Sequence, residues 1–149
     1  LLRSKNRFVL LLLCFLLFLL SGCAVAPHSI SDNLPTLSVR SASSNTPAQR
    51  GSYSWKLGTQ AEAGDSGAPT ELVKGKDPMK VDPNAPLTLL FSKKPKSVKV
   101  NVLQNNNTVQ TFIATKKVNA PTANGQFVYE VMATFRQGTV CYAFSVLVE

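Results

Sequence analysis

Two hydrophobic patterns divide the chain. Phe8 to Leu20 is an unbroken apolar run without a charge, whereas beyond Arg50 apolar and polar residues alternate with a period of two. Such alternation is the mark of strands with one face in a core. Tyr53, Trp55 and Leu57 alternate with Ser52, Ser54 and Lys56. The last third is clearest. Phe127, Tyr129, Val131, Ala133 and Phe135 share one face, Arg136-Gln137-Gly138 turns the chain, and Val140, Tyr142, Phe144, Val146 and Val148 share the next.

Between these ends, turn residues mark shorter elements. Glu62 to Pro69 reads as a loop, and Leu72-Val73 and Met79-Lys80-Val81 read as short edge strands. After Asp82-Pro83-Asn84-Ala85-Pro86 comes a strand at Leu87 to Phe91, and after Lys93-Lys94-Pro95 another at Val98 to Val102. Asn105-Asn106-Asn107 supplies the positive φ angles of a hairpin turn into Val109 to Ile113. No helical period of useful length follows the apolar run.

About seven or eight short strands separated by Gly, Pro and Asn predict an all-β fold, an immunoglobulin-like antiparallel β-sandwich. Gly125 to Tyr129 is placed like the start of the penultimate strand of such folds, where a tyrosine bonds back to the preceding corner. The earlier aromatic there is Phe127, which has no hydroxyl, so that likeness is incomplete on the sequence.

The apolar run follows Arg3, Lys5 and Arg7 and is followed by Ser21-Gly22-Cys23, the order of a signal peptide. Its 13 residues make roughly 20 Å of helix, short of the ~30 Å hydrocarbon core. A cleaved leader is therefore expected rather than a spanning anchor. Leu1 in first position is what a TTG start read literally would give.

Leu20-Ser21-Gly22-Cys23 resembles the lipobox of bacterial lipoproteins. The resemblance implies recognition of Leu20, Ser21 and Gly22 by signal peptidase II, cleavage before Cys23, and a diacylglyceryl group on the Cys23 sulfur. A thiolate is the side-chain nucleophile suited to accept that lipid. Two or more acyl chains give stable membrane anchoring where one is marginal. Cys14 leaves with the leader and Cys23 carries lipid, so Cys141 stands alone and no internal disulfide is expected.

The expected organisation is a lipoprotein signal peptide at 1–22, a lipidated flexible tether at 23–49 and the sandwich domain at 50–149. Ala24 to Gln49 is rich in Ser, Pro, Asn, Thr and Ala, with few apolar residues. As a disordered coil it reaches roughly 25 to 30 Å. Leu37 and Val39 alternate with polar neighbours and offer an additional edge strand. Gly51 to Trp55, Pro69 to Val73, Leu87-Thr88-Leu89, Tyr129-Glu130-Val131 and Gly138 to Phe144 together resemble a family of small lipoproteins from Gram-positive bacteria. That resemblance spans about residues 50 to 149 and implies fold and address without an activity.

Candidate chemistry is sparse. His28 is the single histidine and lies in the expected tether, which argues against a Ser-His-Asp or Cys-His site and against zinc. No metal or other cofactor is expected, and no nucleic-acid partner. Glu62, Asp65, Glu71, Asp77 and Asp82 gather in sequence and, if paired, would suit a carbohydrate-active hydrolase or accessory protein built on residues 61–82. Their simpler role is as solvated turn formers.

Of 16 basic residues three lie in the leader, leaving 13 against 8 acidic ones. Lys93, Lys94, Lys96 and Lys99 form a candidate polyanion patch, with Lys116-Lys117 at another loop. The period-two placement of Trp55 and the other aromatics assigns them to the core rather than to a sugar platform. The expected function is a non-enzymatic binding or interaction module at the cell envelope, on the extracytoplasmic face of a membrane. Its expected partners are the membrane, through the lipid, and an anionic wall polymer or an envelope protein.

Overall fold

The computed structural model of the chain describes residues 29–42, 44–114 and 116–149. The expected leader and lipobox, and His28, lie outside the described residues. Eleven strands and two short helical turns follow in order: a 3-10 turn Ile30–Asn33, β1 Leu37–Arg40, β2 Asn45–Pro47, β3 Gln49–Leu57 and β4 Gln60–Gly64. Then come α1 Pro69–Leu72, β5 Met79–Val81, β6 Pro86–Phe91, β7 Ser97–Gln104, β8 Asn107–Ala114, β9 Lys117–Asn119, β10 Gly125–Thr134 and β11 Gly138–Val148.

The strands form a sandwich of two sheets, with orders β2-β1-β6-β9 and β4-β3-β11-β10-β7-β8. All pairings are antiparallel except that of β5, which runs parallel to the end of β11 through Met79↔Val146 and Val81↔Val148. From β5 onward the path is that of an immunoglobulin-like domain. β6 pairs with β9 in one sheet, while β7, β10 and β11 lie side by side in the other, with β8 beyond β7. Asn105 and Asn106 take φ of 50° and 63°, as the hairpin between β7 and β8 requires.

The alternation seen in the sequence is the packing pattern. Phe127, Tyr129, Val131, Ala133 and Phe135 lie beside Val140, Tyr142, Phe144, Val146 and Val148 on one sheet face in the core, joined by Val98, Val100 and Val102. The corner tyrosine is Tyr129, whose phenol donates to the Asn119 carbonyl at 3.0 Å. The hydroxyl that Phe127 lacks is thus supplied two residues later, on the same face of β10.

The folded unit starts near Ser29, some twenty residues before the expected boundary at 50. Ile30, Leu34, Leu37 and Val39 are buried in the main core. β1 is a full sheet member, pairing with β6 through Leu37↔Phe91 to Arg40↔Thr88, and β2 pairs with β1. Four apolar residues suffice because β6 and the rest of the core cover them. Residues 29–42 and 44–49 are therefore part of the domain, not tether.

Leu72-Val73 is not a strand. Pro69, with its φ preset, begins one helical turn after Ala68. Val73 packs with Val128 and Ala143 on the outer face of the larger sheet, flanked by Leu72 and Leu103. Leu57, assigned to the core by its period, is 52% exposed. The last pair between β3 and β11 is Trp55↔Gly138, so Leu57, paired only with Gln60 of β4, lies past the end of the packed sheet.

Candidate functional site

Strand registers fix which loops share an end of the sandwich. Thr134 lies opposite both Ser97 and Thr139, Gly138 opposite Trp55, Trp55 opposite Glu62, and Val98 opposite Ala114. The β3–β4, β6–β7, β8–β9 and β10–β11 connections therefore lie together. The segment 29–36 joins them, since the Thr36 amide donates to Ser92 Oγ at 2.8 Å and the Ser92 amide to the Thr36 carbonyl at 3.0 Å.

Lys56 near the end of β3, and Lys93, Lys94, Lys96, Lys116 and Arg136 on these loops, are all exposed. Lys93 donates to the Asn33 carbonyl at 3.2 Å and stands 5.9 Å above the Trp55 ring. Lys94, Lys96 and Lys116 border a cavity of about 410 Å³ whose walls are Leu89, Phe91, Pro95 and Val98. Leu89 and Val98 belong to the core, so this cavity is the open mouth between the sheets. Asp32 and Glu62 are the acidic residues on this end among the described residues.

The expected lysine patch is thus divided. Lys93, Lys94 and Lys96 share this end, but Lys99 points away from the core on β7, opposite Ile113 and Met132. Lys116 joins the cavity through long-range pairing, Thr88↔Lys117 and Val98↔Ala114, which no local sequence signal announces. Ion pairs among the described residues are Lys74–Glu71 at 3.6 Å and Lys80–Glu149 at 2.8 Å. Both lie away from the basic end.

The Glu62, Asp65 and Glu71 carboxylates serve local structure. Glu62 accepts the Tyr53 phenol, the Ile30 amide at 3.1 Å and Ser29 Oγ at 3.4 Å, so it fastens the start of the folded chain to β4. It also holds the Tyr53 phenol above its ordinary range. Asp65 accepts Ser52 Oγ at 3.0 Å and the Ser66 amide at 2.9 Å. Glu71 pairs with Lys74, and the Asp82 carbonyl closes a turn with the Ala85 amide at 3.1 Å. Among the described residues, no three His, Cys, Asp or Glu gather as a metal site.

Cys141 is half-buried on the outer side of β11, and burial with the nearby Glu130 charge pushes its thiol up. The reactive thiolate is correspondingly disfavoured. Trp55, Tyr129, Tyr142, Phe127 and Phe144 are all buried, which removes them from any ligand platform. A larger groove of about 630 Å³ runs between β8 and β9, lined in part by Gln104, Phe112, Val118 and Phe127. No protein-family model matches the chain, and no curated protein is detectably similar to it in sequence.

Proposed function

We propose that the protein is an extracytoplasmic lipoprotein, cut before Cys23 and held on the outer face of a membrane by lipid on that cysteine. The observation that carries this reading is the apolar run Phe8 to Leu20, preceded by Arg3, Lys5 and Arg7 and ending at Leu20-Ser21-Gly22-Cys23. The sandwich acts there as a non-enzymatic interaction module that presents its basic loops to an anionic wall polymer or an envelope protein. The support for a binding rather than a catalytic role is chemical. Glu62 and Asp65 are engaged by groups of this chain, whereas among the described residues the lysines around the 410 Å³ cavity have no carboxylate within ion-pair distance. Function in sandwiches resides in such loops.

The test of the anchor is Cys23→Ala in cells fed labelled fatty acid. Wild type should carry label and fractionate with membranes through a salt wash, while the variant should accumulate as unlabelled precursor. Label in the variant would refute the assignment.

A further inference from the structure

The geometry points to the basic end of the sandwich as a second membrane contact, lying on anionic lipid headgroups beside the acyl anchor. This rests on the lipoprotein reading above and takes anionic lipid, in place of a wall polymer or an envelope protein, as what these lysines touch. Two features carry it: the length of chain between the anchor and the fold, and the placement of charge.

Five residues, Ala24 to His28, separate Cys23 from Ser29. A fully extended chain covers at most about 3.5 Å per residue, so Cys23 and Ser29 are no more than about 20 Å apart. Ser29 Oγ lies 3.4 Å from Glu62, which shares a row across the sheet with Trp55 and Gly138. That row is the last one β3 shares with β11, next to the β10–β11 turn, with two further β3–β4 pairs beyond it. The 11-residue β11 measures roughly 33 Å from this end to the other. With the far end down, Ser29 would stand higher above the bilayer than its tether can reach. The anchor therefore brings the basic end, or a flank adjoining it, to the surface.

Charge selects the end. Lys56, Lys93, Lys94, Lys96, Lys116 and Arg136 project from its loops, and Leu57, half exposed on the β3–β4 hairpin, adds an apolar group at the same level. Asp32 and Glu62 are the acidic residues among them, whereas toward the opposite end Lys76 and Lys80 stand with Asp77, Asp82 and Glu149, and Lys80 is paired to Glu149. Basic groups next to a lipid anchor are attracted to anionic leaflets within a Debye length, and an acyl chain plus a polybasic patch is a recognised two-signal arrangement. The Lys94, Lys96 and Lys116 ammonium groups at the rim of one mouth fit a headgroup phosphate, and the apolar walls formed by Leu89, Phe91 and Val98 suit the glycerol and acyl carbons next to it.

The test is lysine footprinting of the mature acylated protein in phosphatidylglycerol-rich and in pure phosphatidylcholine vesicles, read by mass spectrometry with a water-soluble amine reagent. Lys56, Lys94, Lys96 and Lys116 should react about fivefold more slowly on phosphatidylglycerol, and high salt should abolish the difference. Lys74, Lys76, Lys80 and Lys99 should change little. The double variant Lys94→Glu/Lys96→Glu, with its melt unchanged, should lose the protection at Lys116 and Lys56. Equal reactivity in both lipids, or protection centred on Lys74, Lys76 and Lys80, would overturn the proposal while the anchor stands. Intact mass reports the anchor separately, and a mature chain without acyl groups on Cys23 would remove the anchor and this proposal together.

Discussion

The Tyr142 hydroxyl donates to the Pro35 carbonyl at 2.6 Å, joining two buried groups 107 residues apart in sequence. It fastens the segment before β1 to the middle of β11 and lies inside the core, where neither group has water as an alternative partner. Tyr142→Phe keeps the ring and leaves the carbonyl orphaned, which costs about 1–3 kcal/mol. Denaturant unfolding of the mature chain should show that loss. Amide exchange should accelerate selectively between residues 36 and 40, which depend on this attachment. A variant as stable as wild type would mean that the bond contributes nothing net.

The early start of the fold makes a second expectation. Ile30, Leu34, Leu37 and Val39 are buried, and each buried aliphatic side chain contributes about 1.5–3 kcal/mol. Together that is comparable with the roughly 5–15 kcal/mol that holds a domain folded. A chain beginning at Arg50 would also expose the edge of β6. It should aggregate or melt without cooperativity, whereas one beginning at Ser29 should show a cooperative β-rich transition. Cooperative folding from Arg50 would show that β1 and β2 are dispensable.

What the sequence made legible follows from range. β3, β5, β6, β7, β8, β10 and β11 stand out because alternation and turn residues are local signals, and Asn105 and Asn106 announce their hairpin through residues able to take positive φ. The segment 29–40 hides because its few apolar residues acquire a partner only when β6 and β11 are already assembled. Pro69-Thr70-Glu71-Leu72 misleads because one helical turn is too short for a period to develop. Of the basic site, the Lys93 to Lys96 loop is visible as a run, but Lys116 joins it, and Lys99 leaves it, through strand register alone.

Alkaline pH should destabilise the domain through its tyrosines. Burial pushes the Tyr129 and Tyr142 phenols well above their ordinary value of about 10. Below that value both folded and unfolded states keep the protons and stability is independent of them. Above it the unfolded chain releases protons that the native state retains, so stability falls by up to about 1.4 kcal/mol per pH unit for each phenol. Melting temperature should be level up to about pH 9 and drop steeply beyond about pH 10. Phenolate absorbance should rise together with unfolding, and Tyr129→Phe should shallow the slope while losing the bond to Asn119. Free titration of all three tyrosines in a folded protein would contradict the burial of two of them.

Trp55 is the remaining decisive residue, because a sugar platform and a core anchor make opposite demands on it. It is 2% exposed, meets Phe135 edge-on with ring centroids 5.5 Å apart, and carries Lys93 above its ring at 5.9 Å. Truncating such a side chain costs about 3–5 kcal/mol, lost burial and residual cavity together. Trp55→Ala should therefore unfold the domain or lower its melting temperature sharply, and Trp55→Phe should recover much of the loss. Lys93→Ala, which removes an exposed cation from the ring, should cost no more than about 1 kcal/mol. Trp55 is the single tryptophan, so wild-type emission reports it alone and should be blue-shifted and poorly quenched by iodide. Emission that is red-shifted, readily quenched and altered by added glycan, with a Trp55→Ala protein that melts like wild type, would place the ring at the surface. The core assignment on which this packing rests would then fail.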